Sequence, residues 1–407
     1  NVQYVHGNWR HVLRGRWFHL VNDNDNDQSN ASDVLYSEYQ SAWQPTEGLD
    51  VTGGLVWSST WSEAELYSGG ENGGSNQASN TAAFLQVDWS PVPRLHLSAG
   101  GRYEHFTINE EAEGRPVFRA GLNWQLAEAT FMRASWGEGF RFPTIAERFI
   151  RTGLGSLQIY PNSNLRPESA WSAEWGLKQG FKIAGFKGFA DVAVFHQAYN
   201  DYIEFTFGPW GGPGAPLAGL GFTSINTGAT QNTGAEASLQ GRWTHGEHQI
   251  DVLTGYTYTR PVALEPDLDY NPFEGSNWIS SYNTTSYDTT NAILKYRSQH
   301  LFRGDVQWNW RRLSAGLSVR FQSNLQNFDA AFVQFEQEGF VEWGLEDWLE
   351  DHPDLPWLVD VRLGWTVRPG HQFSLLVNNA GNAEYAIRPL AMEPPRLVQI
   401  MYTFEVQ

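Results

Sequence analysis

The stretch from Phe302 to Phe321 alternates between two kinds of side chain. Phe302, Gly304, Val306, Trp308 and Trp310 interleave with Arg303, Asp305, Gln307, Asn309 and Arg311. After a tight polar turn, Leu313, Ala315, Leu317, Val319 and Phe321 interleave with Ser314, Gly316, Ser318, Arg320 and Gln322. A period of two predicts a β-hairpin with one apolar face and one polar, charged face. In a soluble sandwich the apolar face would be a core. Repeated along a whole chain, the pattern fits a wall whose apolar side meets lipid and whose polar side meets a wet lumen.

The repetition is present. Leu13, Gly15, Trp17, His19 and Val21 share one face, and segments 33–44, 50–62, 82–90, 116–125, 129–139, 189–206, 248–260 and 371–379 read as further strands. Leu95, Leu97, Ala99, Gly101 and Tyr103 oppose His96, Ser98, Arg102 and Glu104; Trp171, Ala173, Trp175 and Leu177 oppose Ser172, Glu174, Gly176 and Lys178. Ala235, Ala237 and Leu239 oppose Glu236, Ser238 and Gln240, while Val359, Val361 and Leu363 oppose Asp360 and Arg362. Val398, Ile400, Tyr402 and Phe404 line the last strand. About seventeen strands result, the first one partial.

Two regularities select a membrane barrel. Connections alternate between short turns and long loops, the long ones near 140–168, 207–221, 261–297 and 327–354. Such barrels have short periplasmic turns and long extracellular loops. A tryptophan also stands just before most short turns: Trp43, Trp89, Trp124, Trp243, Trp310 and Trp365. Indole is apolar with one polar edge, so this row is the expected aromatic girdle of a headgroup zone. No apolar run approaches the ~20 residues of a spanning helix. The negative mean hydropathy suits strands that are only half apolar. Net charge of -18 argues against nucleic acid as a partner. The chain has no cysteine, so disulfides and thiolate metal sites are excluded.

Several stretches resemble the TonB-dependent outer-membrane receptors. They are Arg133-Ala134-Ser135-Trp136-Gly137-Glu138-Gly139-Phe140-Arg141-Phe142-Pro143-Thr144-Ile145-Ala146-Glu147, then Asn162-Ser163-Asn164-Leu165-Arg166-Pro167-Glu168 with Glu174 and Gly176. Asn226-Thr227-Gly228 with Thr233-Gly234-Ala235-Glu236 follows, then Val377-Asn378-Asn379-Ala380-Gly381-Asn382-Ala383-Glu384-Tyr385 and Pro394-Pro395-Arg396. The resemblance spans essentially the whole chain. It implies an all-β, antiparallel transmembrane barrel of 22 strands around a plug. About strands 6 to 22 are then present, residues 1–407 forming one N-terminally incomplete barrel domain without plug or TonB box. An odd strand count points the same way: open edges in hydrocarbon strand backbone groups, so the missing wall or another polypeptide must complete the barrel.

The resemblance implies a receptor in the outer membrane of a Gram-negative bacterium, with its C-terminus periplasmic. Its partners would be outer-membrane lipid and the TonB-ExbB-ExbD system, acting through the plug. It would import a scarce large solute: a siderophore, a cobalamin-like compound or an oligosaccharide. A non-transporting structural subunit of an outer-membrane complex, with other membrane or surface proteins as partners, and a passive porin are the competing readings. No P-loop, H-E-x-x-H or G-x-S-x-G occurs, so an enzyme is not expected.

The loops carry the remaining chemistry. Tyr160, Phe207, Trp210, Tyr270, Trp278, Tyr282 and Trp343 are candidates for stacking on a flat ligand, or for packing loops together. Asp23, Asp25 and Asp27 alternate with Asn like the start of a calcium loop, but Gln28 stands where the glycine belongs. Segment 341–354 is acidic, with Trp343, Trp348 and Leu349, and predicts a short amphipathic helix. Arg102, Glu104, Asp305, Arg320, Asp360 and Arg362 are expected to pair with one another or with a plug.

Overall fold

The computed structural model describes residues 1–25, 28–67, 74–154, 157–210, 219–271, 279–352 and 355–405. Seventeen strands form one antiparallel sheet, each paired with its neighbour along the chain. They are Val2–His6, Trp9–Asn22, Asn30–Thr46, Leu49–Ala64, Ser75–Val92, Leu95–Ile108, Glu111–Ala127, Thr130–Arg141, Glu168–Ile183 and Phe186–Asn200. Thr230–His245, His248–Ala263, His300–Trp310, Leu313–Gln322, Leu358–Arg368, His371–Asn378 and Leu397–Phe404 complete it. Among the described residues the first and last of these pair on one side only.

Register brings apolar residues together across many of the seams. Val306 lies opposite Leu317, which lies opposite Val361 in turn. The apolar rows carry no second layer: Leu55, Leu85, Val194, Leu317 and Leu363 are all exposed, and Ile400 is 80% exposed. Soluble surfaces do not present continuous apolar belts of this extent. The buried apolar clusters sit instead in the long connections, around Phe142 and Phe149, around Tyr282 and Leu294, and around Phe328 and Leu345. This is a membrane-spanning wall with a separately packed layer of loops. At the short turns the ladder slips just after Trp43, Trp89 and near Trp124. Pro45 and Pro91 have no N–H to continue it.

The structure corrects the sequence-based outline in two places. Leu95–Ile108 and Glu111–Ala127 are joined by Asn109 and Glu110 alone, so the alternation of short and long connections fails there. Asn109 takes φ +51, a left-handed conformation that asparagine tolerates, and a tight turn stands where the polar sequence suggests a loop near 108–115. The predicted strand 189–206 is interrupted at Asp201, with φ +52. Beyond it, Ile203–Pro209 leaves the wall and pairs with Leu220–Asn226 in a second, four-stranded sheet of loop segments.

Candidate solute-binding loops and lumen wall

The polar face of the wall neutralises itself in steps. Arg14 donates to Glu38 at 2.8 Å, and Tyr36 Oη donates to the same carboxylate at 2.6 Å. Arg133 bridges Glu174 at 2.9 Å and Asp191 at 2.8 Å. Arg362 meets Asp305 at 2.7 Å, Arg320 meets Asp360 at 3.2 Å, and Arg102 pairs with Glu104. The expected pairing among these six residues is therefore observed. Half-exposed pairs add little stability each. They neutralise part of the wet face; among the described residues Arg16, Lys187 and Arg303 form no ion pair there.

Three of the sequence stretches that carry the family resemblance meet in one knot above the wall. Asn226 Oδ1 accepts the Arg166 N–H at 2.8 Å, while its Nδ2 donates to Arg166 O at 2.9 Å and Asp201 O at 2.8 Å. Asn162 Nδ2 reaches Ser224 O at 2.9 Å, and Asn162 Oδ1 receives the Asn164 N–H. Leu165 between them is buried. Arg141 holds Glu147 at 2.8 Å and Glu168 at 3.1 Å, and Glu168 also accepts the Ile203 N–H. The short helix Ile145–Phe149 starts on a capping box, with Thr144 and Glu147 satisfying each other's N–H. Burial raises the Glu147 carboxyl, but the Thr144 N–H and Arg141 outweigh it and hold it below the usual glutamate range. A side-chain amide offers both a donor and an acceptor, so it substitutes for a missing strand partner where the backbone turns.

A second polar centre stitches three loops together. Lys295 Nζ meets Asp329 Oδ1 at 2.6 Å with both side chains almost fully buried, and it also donates to Thr285 at 2.8 Å. Tyr296 Oη donates to the other Asp329 oxygen at 2.7 Å, and Thr206 reaches Asp329 at 3.3 Å. Burial pushes the Tyr296 and Tyr270 hydroxyls up, and Tyr282 up to about 12. Sequence reasoning missed Lys295, Asp329 and Thr206. They lie in different loops, and no spacing announces them.

The aromatic candidates divide. Trp210 and Phe207 are buried; Phe207 packs edge-on against Phe222 and Phe335. Tyr282 is buried too, its hydroxyl donating to Ile293 O at 2.6 Å, and Tyr270 Oη bonds Thr285 at 2.6 Å. In this arrangement Phe207, Trp210 and Tyr282 serve loop packing, while Tyr270 is half-buried. Tyr160 is half-buried, with a buried hydroxyl that lacks a hydrogen-bond partner among the described residues. Trp343 stays 40% exposed beside Phe332. Trp278 lies outside the described residues. The acidic segment forms the predicted helix, Leu345–Asp351, whose first N–H groups are received by the Glu336 carboxylate.

Of the tryptophan row, Trp43, Trp89, Trp124 and Trp365 are exposed on the outer face near the short turns. Trp243 is half-buried, its indole N–H donating to Ala184 O at 3.2 Å, and Trp310 stacks on His248 at 5.5 Å. In the candidate calcium loop, Asp23 accepts from Ser29 Oγ at 3.2 Å. Asp25 is described and Asp27 is not. Among the described residues, no group of three or more His, Asp or Glu is placed to hold a metal ion.

A greasy antiparallel wall, a polar face with many paired charges and a packed loop layer define an outer-membrane barrel of the receptor type. A family model described as TonB dependent receptor-like, beta-barrel, matches residues 1–380, and the chain belongs to that family. Its sequence is 27% identical over 115 residues to hemoglobin-haptoglobin utilization protein B of Neisseria meningitidis serogroup C, covering 28% of this chain and 14% of that protein. The structure is similar to the siderophore receptor PirA from Pseudomonas aeruginosa, with a TM-score of 0.65 and 13% identity over 99% of this chain and 62% of that one. It is also similar to the Serratia marcescens hemophore receptor HasR, with a TM-score of 0.58 and 16% identity over 97% of this chain and 66% of that one. These likenesses show the fold, and the chain spans less than two thirds of either structure.

Proposed function

We propose that this chain supplies the wall and outer loops of a TonB-coupled importer for a scarce large solute of the siderophore, cobalamin-like or oligosaccharide kind. The match to the receptor-barrel family over residues 1–380 carries the reading. The loop layer supports it, because loops packed on their own core present a preformed surface at one end of a polar wall. In this reading the long loops face outward, and the short turns and C-terminus face the periplasm. A plug within the wall transmits the pull of TonB-ExbB-ExbD. The aromatic row at the short turns anchors the wall at the inner headgroup zone, and among the described residues Tyr160, Tyr270 and Trp343 are the aromatic candidates left for solute contact.

The test is a deletion of the gene in its native host. Growth is then followed with ferric siderophores, haem, cobalamin or oligosaccharides as the limiting nutrient, in strains with and without TonB. Loss of uptake of one such solute, equalled by loss of TonB, is expected. Unchanged uptake of every class on deletion would refute the proposal.

A further inference from the structure

Histidine is spread unevenly between the two faces of the wall. Strand register places nine of the eleven histidines on the outer face. His6, His11, His245, His248 and His371 stand at the short-turn end, and His19, His105, His196 and His300 at the other. Lysine and arginine are distributed the opposite way. Within these strands only Arg260, and Arg368 beyond a bulge, share register positions with outward residues. The histidines are therefore the main basic groups of the lipid-facing side. At the short-turn end they are built into the aromatic row. Between ring centroids, His6 lies 6.4 Å from Tyr4, His11 5.8 Å from Trp9, His245 5.7 Å from Trp243 and His371 4.7 Å from Phe404. In three of them a neighbouring strand fixes one ring nitrogen. Nδ1 of His11 bonds Tyr39 Oη at 2.9 Å, Nδ1 of His371 bonds Tyr402 Oη at 2.5 Å, and Nδ1 of His248 accepts the Trp308 indole N–H at 3.2 Å. Among the described residues Nε2 of these three rings has no hydrogen-bond partner.

We propose that the short-turn row of histidines binds the headgroup phosphates of anionic phospholipid and holds that lipid more tightly as pH falls. The aromatic row marks the headgroup level, where a lipid phosphate is the nearest anion. An indole N–H can only donate, so the neutral His248 ring carries its proton on Nε2, free to donate to a phosphate oxygen. At His11 and His371 the Nδ1 partner is a hydroxyl. It accepts as well as donates, so either ring can take a second proton and keep its anchor. Imidazole takes up charge between pH 5 and 8. Among the described residues no carboxylate bonds the rings of this row. The titratable groups opposite them are Tyr4 and Tyr39 at His11, Tyr402 at His371 and His245 at His248. Arg368 lies across from His371, Glu405 beyond Phe404 makes no ion pair with it, and Glu247 is held by Arg311. The far end differs, because Asp33 already pairs with His19 at 2.9 Å and Arg260 supplies a permanent charge. A lysine row would grip anionic lipid at every pH, whereas a histidine row makes the grip conditional. The proposal needs a lipid-facing wall and is independent of the import reading.

The test uses the full-length receptor in phosphatidylcholine bilayers that contain a second lipid with brominated acyl chains, either phosphatidylglycerol or phosphatidylcholine. Bromine quenches tryptophans beside a bound lipid, so the two quenching curves together give the preference for the anionic headgroup. The charge of each headgroup is constant between pH 8 and pH 5.5. Over that range the wild-type preference for phosphatidylglycerol should rise about twofold or more, an average over the lipid ring of about fivefold per charged group. His6→Phe, His11→Phe, His245→Phe, His248→Phe and His371→Phe together keep the ring stacking and should remove half of that rise or more. The same five positions changed to lysine should show the pH 5.5 preference already at pH 8. The wild-type curves decide the proposal even where a variant fails to fold. An equal preference at the two pH values overturns it, as does a phenylalanine variant with the full rise. Either result is what rings that only pack, or a face covered by protein instead of lipid, would give.

Discussion

The buried Lys295–Asp329 pair predicts a sharp division between loop and wall stability. Asp329→Asn keeps the shape but removes the charge that faces an ammonium only 5% exposed. Lys295 would then rest on Thr285 at 2.8 Å and Thr206 at 3.4 Å, neither of which is charged. Breaking a buried pair from one side costs about 3–5 kcal/mol, which is about two to four orders of magnitude in the opening equilibrium of the loop layer. The wall shares no hydrogen bond with this pair, so its unfolding should be unchanged. Hydrogen exchange resolved by peptide is the assay. Amides in 203–210, 219–226, 279–299 and 327–345 should lose protection together, while those in His300–Trp310 and Leu313–Gln322 should keep theirs. A double variant, Lys295→Met with Asp329→Leu, should recover most of the loss, because an apolar pair carries no desolvation penalty. Equal protection in Asp329→Asn and wild type would refute the reasoning. So would a double variant no better than the single one.

Two further outcomes follow from the two faces and from the loop core. Val306 faces outward at the middle of its strand and is 41% exposed, while Gln307 faces the lumen. Val306→Arg is expected to cost about 2–4 kcal/mol in vesicle-refolding titrations with urea, as for a charge near the bilayer midplane. Gln307→Arg should stay within about 0.5 kcal/mol of wild type, and equal costs would contradict the lipid-facing assignment. Glu204 lies in the loop layer, where burial holds its carboxyl above the ordinary glutamate range; Lys295 and Arg297 oppose that rise and Asp329 adds to it. The folded loop thus binds this proton more tightly than the unfolded chain. The Glu204 contribution is most favourable below the ordinary glutamate pKa and declines as pH rises through the raised value. Glu204→Gln should raise loop protection at pH 7 and flatten its pH dependence, measured by exchange between pH 4 and pH 7. An unaltered slope would count against the burial of this group.

What was legible in the sequence depended on the range of the interactions involved. The wall was legible because period two is a local property. Lipid also removes the usual ambiguity: a face that meets hydrocarbon must be apolar throughout, so Val306, Leu317 and Val361 announce themselves one by one. The count of seventeen strands and the pairing of lumen charges followed from it. The hairpin at Asn109 did not, because a polar strand end beyond the membrane looks like a loop in composition. Nor did the break at Asp201, where one left-handed residue redirects a segment that is otherwise apolar and β-branched enough to continue. The loop layer was illegible for a stronger reason. Thr206 and Asp329 are 123 residues apart, and Asn162 and Ser224 are 62 apart, so neither partner carries a local mark. The family-like stretches are the instructive case. The Asn162–Glu168 stretch and Asn226 read as separate signatures, and the structure ties them together by hydrogen bonds at the point where the chain leaves the wall. Such bonds demand the residue type itself: aspartate at Asn226 would lack the donor for Arg166 O and Asp201 O, and serine would lack the reach. A motif of this kind records where the backbone must be satisfied away from the sheet. The residues that choose a solute are therefore better sought among groups with no such structural duty.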